Sequence, residues 1–321
     1  MTPLRDYVEL GQFIPLHYHY NMLNDTARMQ GFKAALDHVV RPGARVLELG
    51  GGTGVLSHFA ARRAAKVWCV ERNPELAAKA REILALNPYG KKIEVVEADA
   101  FDYLPPEPVD VVICEMLHVA MLREKQLAVI SAFKERYLKK FGGPLPVFVP
   151  EAFIQAVQPV QQDFYFEDYY APTILFQEPA VVQTKTYELA APAVYQLASY
   201  DEAYSLHCAW DGTVAIERPG VLNALRFVTK NILAIVVAEQ RSVDWHNQYL
   251  IVPLQEPLTV EAGDRLHLHF DYPAGGSFAA LTASLLIAVE AKTRRDIPFS
   301  PQRDAAEQRT AALYLSRNDR V

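Results

Sequence analysis

A glycine-rich stretch is the first place in this sequence where residue types and spacing could support chemistry. The segment Arg45–Gly54 reads RVLELGGGTG, a short apolar run followed by glycines, and apolar residues at helical spacing continue from Val55. A strand, a glycine turn and a helix in that order let the backbone approach a nucleotide-like ligand, and the first free N–H groups of the helix point toward it. The glycines expected to contact the ligand are Gly50, Gly52 and Gly54.

Acidic residues beside this turn indicate the kind of ligand. Glu48 lies two residues ahead of the first glycine, where it would repel a phosphate and attract a cation. Glu71 ends the next predicted strand, about twenty residues beyond the turn, where doubly wound folds place an acid on ribose hydroxyls. We therefore predict S-adenosylmethionine, which carries a sulfonium and an ammonium group and no phosphate. Further cofactor contacts are expected from Arg72, Asp99 and Ala100, which follow the second and third strands.

A second pair of carboxylates follows the fourth predicted strand, Val109–Cys114. Ligands of open α/β sheets bind beyond the carboxyl ends of the strands, so Glu115 is expected to face both the cofactor and an acceptor. Glu124 can fold back toward it across a loop, and two carboxylates in one pocket would hold a planar guanidinium by paired hydrogen bonds. Position alone leaves a second interpretation of Glu124 open, as an ordinary acid at the start of a helix.

Composition excludes several classes of protein. Half of the 321 residues are apolar and 22% are charged, which is enough for two domains with cores of their own. The net charge of −6 argues against a nucleic-acid partner, and no apolar run is long enough to cross a membrane. The charged segment Met1–Leu10 is unlike a secretion signal, and three widely spaced cysteines indicate reduced thiols. We therefore expect a cytoplasmic protein. No metal site is expected either, because His267 and His269 lack a third ligand and a metal at His17 and His19 would have no role in this chemistry.

The alternation of strands and helices predicts the elements that position these residues. Residues 41–149 are expected to form a Rossmann-like, doubly wound α/β domain that binds the cofactor. Residues 1–40 precede it and include an amphipathic helix over Asp25–Val39, whose apolar side chains share one face. Residues 150–292 are β-rich and predict an antiparallel barrel or sandwich that carries the substrate site.

Local signals within the β-rich half are more ambiguous. Asp211-Gly212 predicts a hairpin turn, and Ala279–Val289 has the composition of a strand. Residues 163–179 are rich in aromatic side chains without periodicity, which fits either an inserted arm or a loop that covers the core. Residues 293–321 form a tail in which Asp304 opens a short predicted helix by a capping-box pattern.

With these motifs in place, the sequence resembles the protein arginine methyltransferase family over roughly Tyr18 to Val289. The glycine turn, the strand-end acid and the paired glutamates all match motifs of that family. The segment that ends at Arg28 resembles its cofactor-covering helix. By that match Arg28 would bind the methionine carboxylate of the cofactor, Met22 would pack near the sulfonium, and Asp25 would point toward the substrate.

The resemblance extends to one loop of the β-rich half. Trp245-His246-Asn247-Gln248 aligns with the Thr-His-Trp loop of the family, which implies that His246 pairs with Asp25. Either this pair or a carboxylate would take the proton of the acceptor. The alternative interpretation of His246 is a histidine that only holds the two domains together. The implied catalytic residues are therefore Glu115, Glu124, His246 and Asp25.

Three departures from the family fall on acceptor and dimer contacts. Trp245 and Asn247 replace the residues on either side of the family histidine, Met116-Leu117-His118 replaces Trp-Met-Gly, and the arm that makes family members dimerise is shortened. The prediction is methyl transfer to a guanidine or another nitrogen of a protein, a peptide or a small molecule such as free arginine, with a homodimer as candidate assembly. A scaffold that binds S-adenosylmethionine without catalysis is the alternative from another class.

Overall fold

The computed structural model describes residue 14 and residues 16–290. The elements are α1 (Leu16–Asn24), α2 (Thr26–Val39), β1 (Arg45–Leu49), α3 (Val55–Ala61), β2 (Lys66–Glu71), α4 (Pro74–Ala85), β3 (Ile93–Glu97), β4 (Val111–Cys114), α5 (Gln126–Phe141), β5 (Val147–Val149), β6 (Ala152–Gln162), β7 (Tyr165–Phe166), β8 (Tyr169–Tyr170), β9 (Leu175–Gln177), β10 (Thr186–Glu188), β11 (Ala193–Ser199), β12 (His207–Ala215), β13 (Gly220–Val236), β14 (Arg241–His246), β15 (Tyr249–Val260), β16 (Arg265–Pro273), α6 (Phe278–Ser284) and β17 (Leu286–Glu290). The short helix predicted from Asp304 lies outside the described residues, as do residues 1–13.

The first half is a five-stranded parallel sheet in the order β3-β2-β1-β4-β5. The middle strands β1, β2 and β4 are almost wholly buried, as expected when helices cover both faces. The strand order reverses between β1 and β4, where Leu49 lies beside Cys114. The glycine turn and Glu115 therefore leave the sheet at the same level, at the switch point where doubly wound folds bind ligands. The predicted Rossmann-like domain is confirmed.

The second half contains two antiparallel sheets. The larger has the order β10-β6-β13-β15-β9, with β11 paired to β6 and β14 paired to β13, and the smaller has the order β12-β16-β17. Aromatic side chains join them, because the Phe270 ring of the smaller sheet lies 5.0 Å from that of Tyr195 and 5.6 Å from that of Phe227. The prediction of a following antiparallel β domain is confirmed.

Two local predictions in this half are wrong. Asp211-Gly212 is not a turn, because β12 runs straight through it and pairs with β16. A Cβ atom on Gly212 would overlap the ring of Trp210, so the glycine lets that ring fold over its own strand. The range Ala279–Val289 is not one strand either, since Ser277 caps α6 by accepting from Ala280 N, and β17 begins only afterwards.

The aromatic-rich segment 163–179 both covers the core and faces solvent. Phe164 is buried in a small cluster on the larger sheet, and β9 adds to the edge of that sheet beside β15. The hairpin of β7 and β8 exposes its side chains, which are Tyr165, Phe166, Tyr169 and Tyr170. Within residues 16–290, no helix has the length and apolar character needed to cross a membrane.

Candidate active site

The glycine turn after β1 has the backbone conformation that its residue types predict. Gly50, Gly52 and Gly54 have φ values of 77°, 56° and 79°, which L side chains rarely adopt. Gly52 N donates to Glu71 Oε2 at 2.9 Å, which ties the turn to the end of β2. Glu71 Oε1 also accepts from Asn73 N at 2.8 Å, so the carboxylate is held at the edge of the crevice.

Glu48 lies behind the turn and does not line the crevice. It is 2% exposed and accepts hydrogen bonds from the backbone N–H, at 2.8 Å, and the hydroxyl of Ser57 in α3. Burial raises the pKa of Glu48 to about 7, although the Ser57 bonds and the charge of Arg28 act in the opposite direction. The observed role of this carboxylate is to order the start of α3, and its contact with a cofactor stays a prediction.

The other candidates from this sheet lie at the ends of β2 and β3. Arg72 Nη1 lies 3.4 Å from Asp99 Oδ2, and Asp99 Oδ1 accepts from Phe101 N at 2.9 Å. Ala100 is partly buried against the main core. The structure thus brings Arg72 and Asp99 together beside Glu71, at the end of the crevice where the adenosine is expected.

His19 on α1 is a site residue that the sequence analysis missed. Its ring lies on the glycine turn, so a Cβ atom on Gly52 would come within 2.9 Å of its Cε1 atom. Its Nε2 atom is buried and has no hydrogen-bond partner in the described part of the chain. Burial lowers the pKa of His19, with Glu71 opposing the shift and Arg28 adding to it. A neutral imidazole beside the crevice is a candidate cofactor contact, and its place in the covering-helix segment was the signal available.

Arg28 links helix α2 to Glu115, the carboxylate that follows β4. It lies in the first turn of α2 with only 6% exposure, and Asp25 caps that turn by accepting from Arg28 N at 2.9 Å. The guanidinium donates twice to Glu115 Oε2, from Nε at 3.1 Å and from Nη2. Its Nη1 atom lies 3.5 Å from the carbonyl oxygen of Met22.

The loop after β4 is held by the β domain in an unusual conformation. Ala120, Met121 and Arg123 all have positive φ values, of 57°, 50° and 62°. Ala120 N donates to Thr229 Oγ1 at 2.8 Å, and Ala120 O accepts from the hydroxyl of Tyr272 at 2.9 Å. Non-glycine residues in this region persist only where surrounding contacts impose it, and such strain is common at functional sites.

This loop places Glu124 where the charge of Glu115 acts on it, and their joint grip on a guanidinium stays a prediction. Burial raises the pKa of Glu124 to about 8, and the negative charge of Glu115 adds to the shift, while Arg123 and Arg28 oppose it. Two carboxylates that perturb each other in this way lie near one another. The arrangement therefore differs from that of an ordinary acid at a helix start, and α5 itself begins only at Gln126.

The predicted pairing of His246 with Asp25 does not occur. Successive side chains of β14 point to opposite faces, and it is Trp245 that donates from Nε1 to Asp25 Oδ2 at 3.3 Å. His246 lies on the other face, opposite Lys230 in the sheet. Burial and the Lys230 charge lower the pKa of His246, with Asp244 opposing them.

The glycine turn provides a direct test of cofactor binding. Gly52→Ala places a methyl group in a left-handed backbone and against His19, and a cost of about 1–2 kcal/mol should weaken S-adenosylmethionine binding roughly tenfold. Calorimetric Kd values will measure the loss. Gly43→Ala is the control, because its φ is 82° but its Cβ meets nothing within 4 Å. Equal Kd values for the two variants would show that the turn does not contact the cofactor.

Similarity to known proteins agrees with this arrangement. Residues 46–142 match the family model described as a methyltransferase domain. The chain is 27% identical over 270 residues to an uncharacterized protein of Methanocaldococcus jannaschii, which covers 84% of this chain and 96% of that protein. It is 34% identical over 134 residues to an arginine N(omega)-methyltransferase of Streptomyces achromogenes subsp. streptozoticus, a match that covers 40% of this chain and 37% of that protein.

A solved structure supports the same fold over most of the chain. The Trypanosoma brucei PRMT1 enzyme–prozyme heterotetrameric complex with AdoHcy superposes with a TM-score of 0.68 at 17% identity. The match covers 88% of this chain and 96% of that chain, so it includes both halves. The domain match confirms the predicted methyltransferase class, and the structural match confirms the predicted fold.

Proposed function

We propose that this chain, an arginine-methyltransferase-like class I methyltransferase that uses S-adenosylmethionine, methylates a guanidine nitrogen held between Glu115 and Glu124. The observation that carries the proposal is the place of Glu115, which follows β4 beside the glycine turn, binds the Arg28 guanidinium and acts electrostatically on the buried Glu124. Glu115 already binds a guanidinium, that of Arg28, through two of its nitrogens. A second guanidinium can approach the free side of the same pair.

The residues around the turn fit the cofactor. The glycines allow the close backbone approach that an adenosyl group needs. Glu71, held by two backbone N–H groups, is the acid for ribose hydroxyls, and Arg28 can bind the methionine carboxylate. S-adenosylmethionine supplies an electrophilic methyl group, whose bond to sulfur breaks with its electron pair staying on sulfur. The buried His19 nitrogen offers a further hydrogen bond on the same side.

The chain contributes orientation and a proton acceptor. Glu115 and Glu124 hold the guanidinium in plane, so that one nitrogen faces the methyl carbon at near-attack distance. The nitrogen forms the new bond to carbon and then releases a proton. Glu124, as a carboxylate whose pKa is raised by burial, is the better proton acceptor of the two. His246 has no part in this scheme, because it lies on the far face of β14.

The size of the acceptor separates two versions of the proposal. His118 fills space beside the clamp, with ring centroids 5.7 Å from Phe176 and 5.5 Å from Phe278. Burial lowers its pKa to about 4, so the ring is neutral and acts as a wall. The bulky His118 ring and the arginine N(omega)-methyltransferase relative both favour a small molecule such as free arginine over a protein side chain.

Removing this wall should change acceptor preference. His118→Gly is expected to raise the kcat/KM ratio of an arginine peptide over free arginine about tenfold, equivalent to about 1.4 kcal/mol. Steady-state kinetics on both acceptors will measure the ratio. The control is His118→Phe, which keeps the ring volume and should keep the ratio of the natural protein. If the glycine and phenylalanine variants share one ratio, His118 does not limit acceptor size.

The class of acceptor can be found by incubating the protein with methyl-labelled S-adenosylmethionine and host lysate separated by size. Label in the small fraction, comigrating with methylarginine, supports the leading version. Label in the macromolecular fraction supports a protein substrate. Tight cofactor binding without any label would favour the non-catalytic scaffold.

The homodimer implied by the resemblance stays part of the proposal, and the exposed aromatic hairpin of β7 and β8 is its candidate contact.

A further inference from the structure

The indole of Trp245 lies at the junction of the β domain and the cofactor-covering helices. The side chain is 8% exposed, and its ring packs at 6.0 Å from that of Phe32 on α2. Its Nε1–H donates to Asp25 Oδ2 at 3.3 Å. Gly31 brings α2 close to the same strand, because a Cβ atom there would lie 3.1 Å from Leu233 and 3.9 Å from Trp245 Cβ.

Asp25 connects Trp245 to Arg28, because each of its carboxylate oxygens accepts from one of these residues. While Oδ2 accepts from the indole, Oδ1 accepts from Arg28 N at 2.9 Å and caps α2. The side chain of Arg28 then donates to Glu115. One continuous series of hydrogen bonds thus runs from a β-domain strand through the helix cap to the clamp carboxylate.

We propose that Trp245 is a positioning residue that sets the place of Arg28, and through it of Glu115, by holding Asp25. An indole N–H donates a hydrogen bond and cannot accept a proton, so this position orients the site and does not take the proton of the acceptor. The part that concerns Glu115 rests on the proposed function. The part that concerns Arg28 can be measured with cofactor-like ligands alone.

The test compares S-adenosylhomocysteine with its decarboxylated analogue, because Arg28 is the group assigned to the carboxylate. The Kd of the decarboxylated analogue divided by the Kd of S-adenosylhomocysteine, both measured by calorimetry, reports how well the guanidinium of Arg28 is placed. Trp245→Phe keeps the ring against Phe32 but removes the N–H, and should reduce this ratio about tenfold. Trp245→His restores a donor and should recover most of it. The matched control is Trp210→Phe, a half-buried ring of β12, which should leave the ratio unchanged.

A second variant avoids any change in the buried ring. Asp25→Asn keeps an oxygen that can cap α2 but removes the charge that the indole meets, and should lower the ratio as Trp245→Phe does. The proposal is overturned if Trp245→Phe and Asp25→Asn both retain the ratio of the natural protein, or if that protein shows no preference for the carboxylate. If the ratios change as expected while no guanidine is methylated, the proposed acceptor fails and the role of Trp245 stands.

Discussion

Glu115→Gln should lower kcat for guanidine methylation by about 10³-fold, the loss typical of removing one preorganised charged partner from a transition state. The amide keeps the size of the side chain but loses the charge that holds a guanidinium and polarises it toward attack. Binding of S-adenosylmethionine should fall much less than kcat, because Asp25 still caps the turn that carries Arg28 and the guanidinium can still meet the cofactor's carboxylate. Rates with labelled cofactor and calorimetric Kd values, taken on one preparation, will separate the two effects.

Folding must be checked in this variant, because Arg28 loses its buried partner and such losses can cost about 3–5 kcal/mol. Glu115→Asp retains the charge and should retain more activity than the amide. Glu107→Gln makes the same chemical change at an exposed carboxylate of the same domain and should change neither folding nor the methylation rate. A folded Glu115→Gln protein that binds cofactor and keeps its full rate would rule out the carboxylate clamp.

Periodicity predicted the first half of the fold well, because parallel strands buried on both faces read as apolar runs. Both β1 and β2 begin and end where those runs do. The second half was harder to predict, because turn signals there compete with long-range pairing. Gly212 has the residue type of a turn, yet it lies in mid-strand because a neighbouring ring needs its space.

The site was predictable wherever a motif has a local cause. The glycine turn and the paired glutamates lie at strand ends, so the sheet alone brings them together. The partner of Asp25 was not predictable in this way, because an alignment shifted by one residue exchanges the two faces of a strand. The indole of Trp245, and not the imidazole of His246, therefore reaches Asp25. His19 was missed because it was considered only as a metal ligand.

The second large effect expected is on pH dependence. Because burial and Glu115 raise the pKa of Glu124 to about 8, the Glu124 side of the free clamp is protonated below that pH. A guanidinium must then displace a proton to bind, so kcat/KM should fall about tenfold per pH unit below 8 and level off above it. N-acetylarginine is a suitable acceptor, because its guanidinium stays charged throughout and it has no amine to titrate.

The pH at which this acidic limb of the kcat/KM profile begins, and its slope, distinguish Glu124 from a histidine base. The pKa of His118 is about 4 and that of His246 is lowered from 6.5, so neither can produce a limb near 8. Bound guanidinium favours the ionised carboxylate, so kcat alone should vary less with pH than kcat/KM.

The same pKa shift makes the folded state bind a proton that the unfolded chain has released, so the free energy of unfolding should fall as the pH rises from 4.5 to about 8. Glu124→Gln should remove both dependences together, and a limb that persists in that variant would assign the titration to another group.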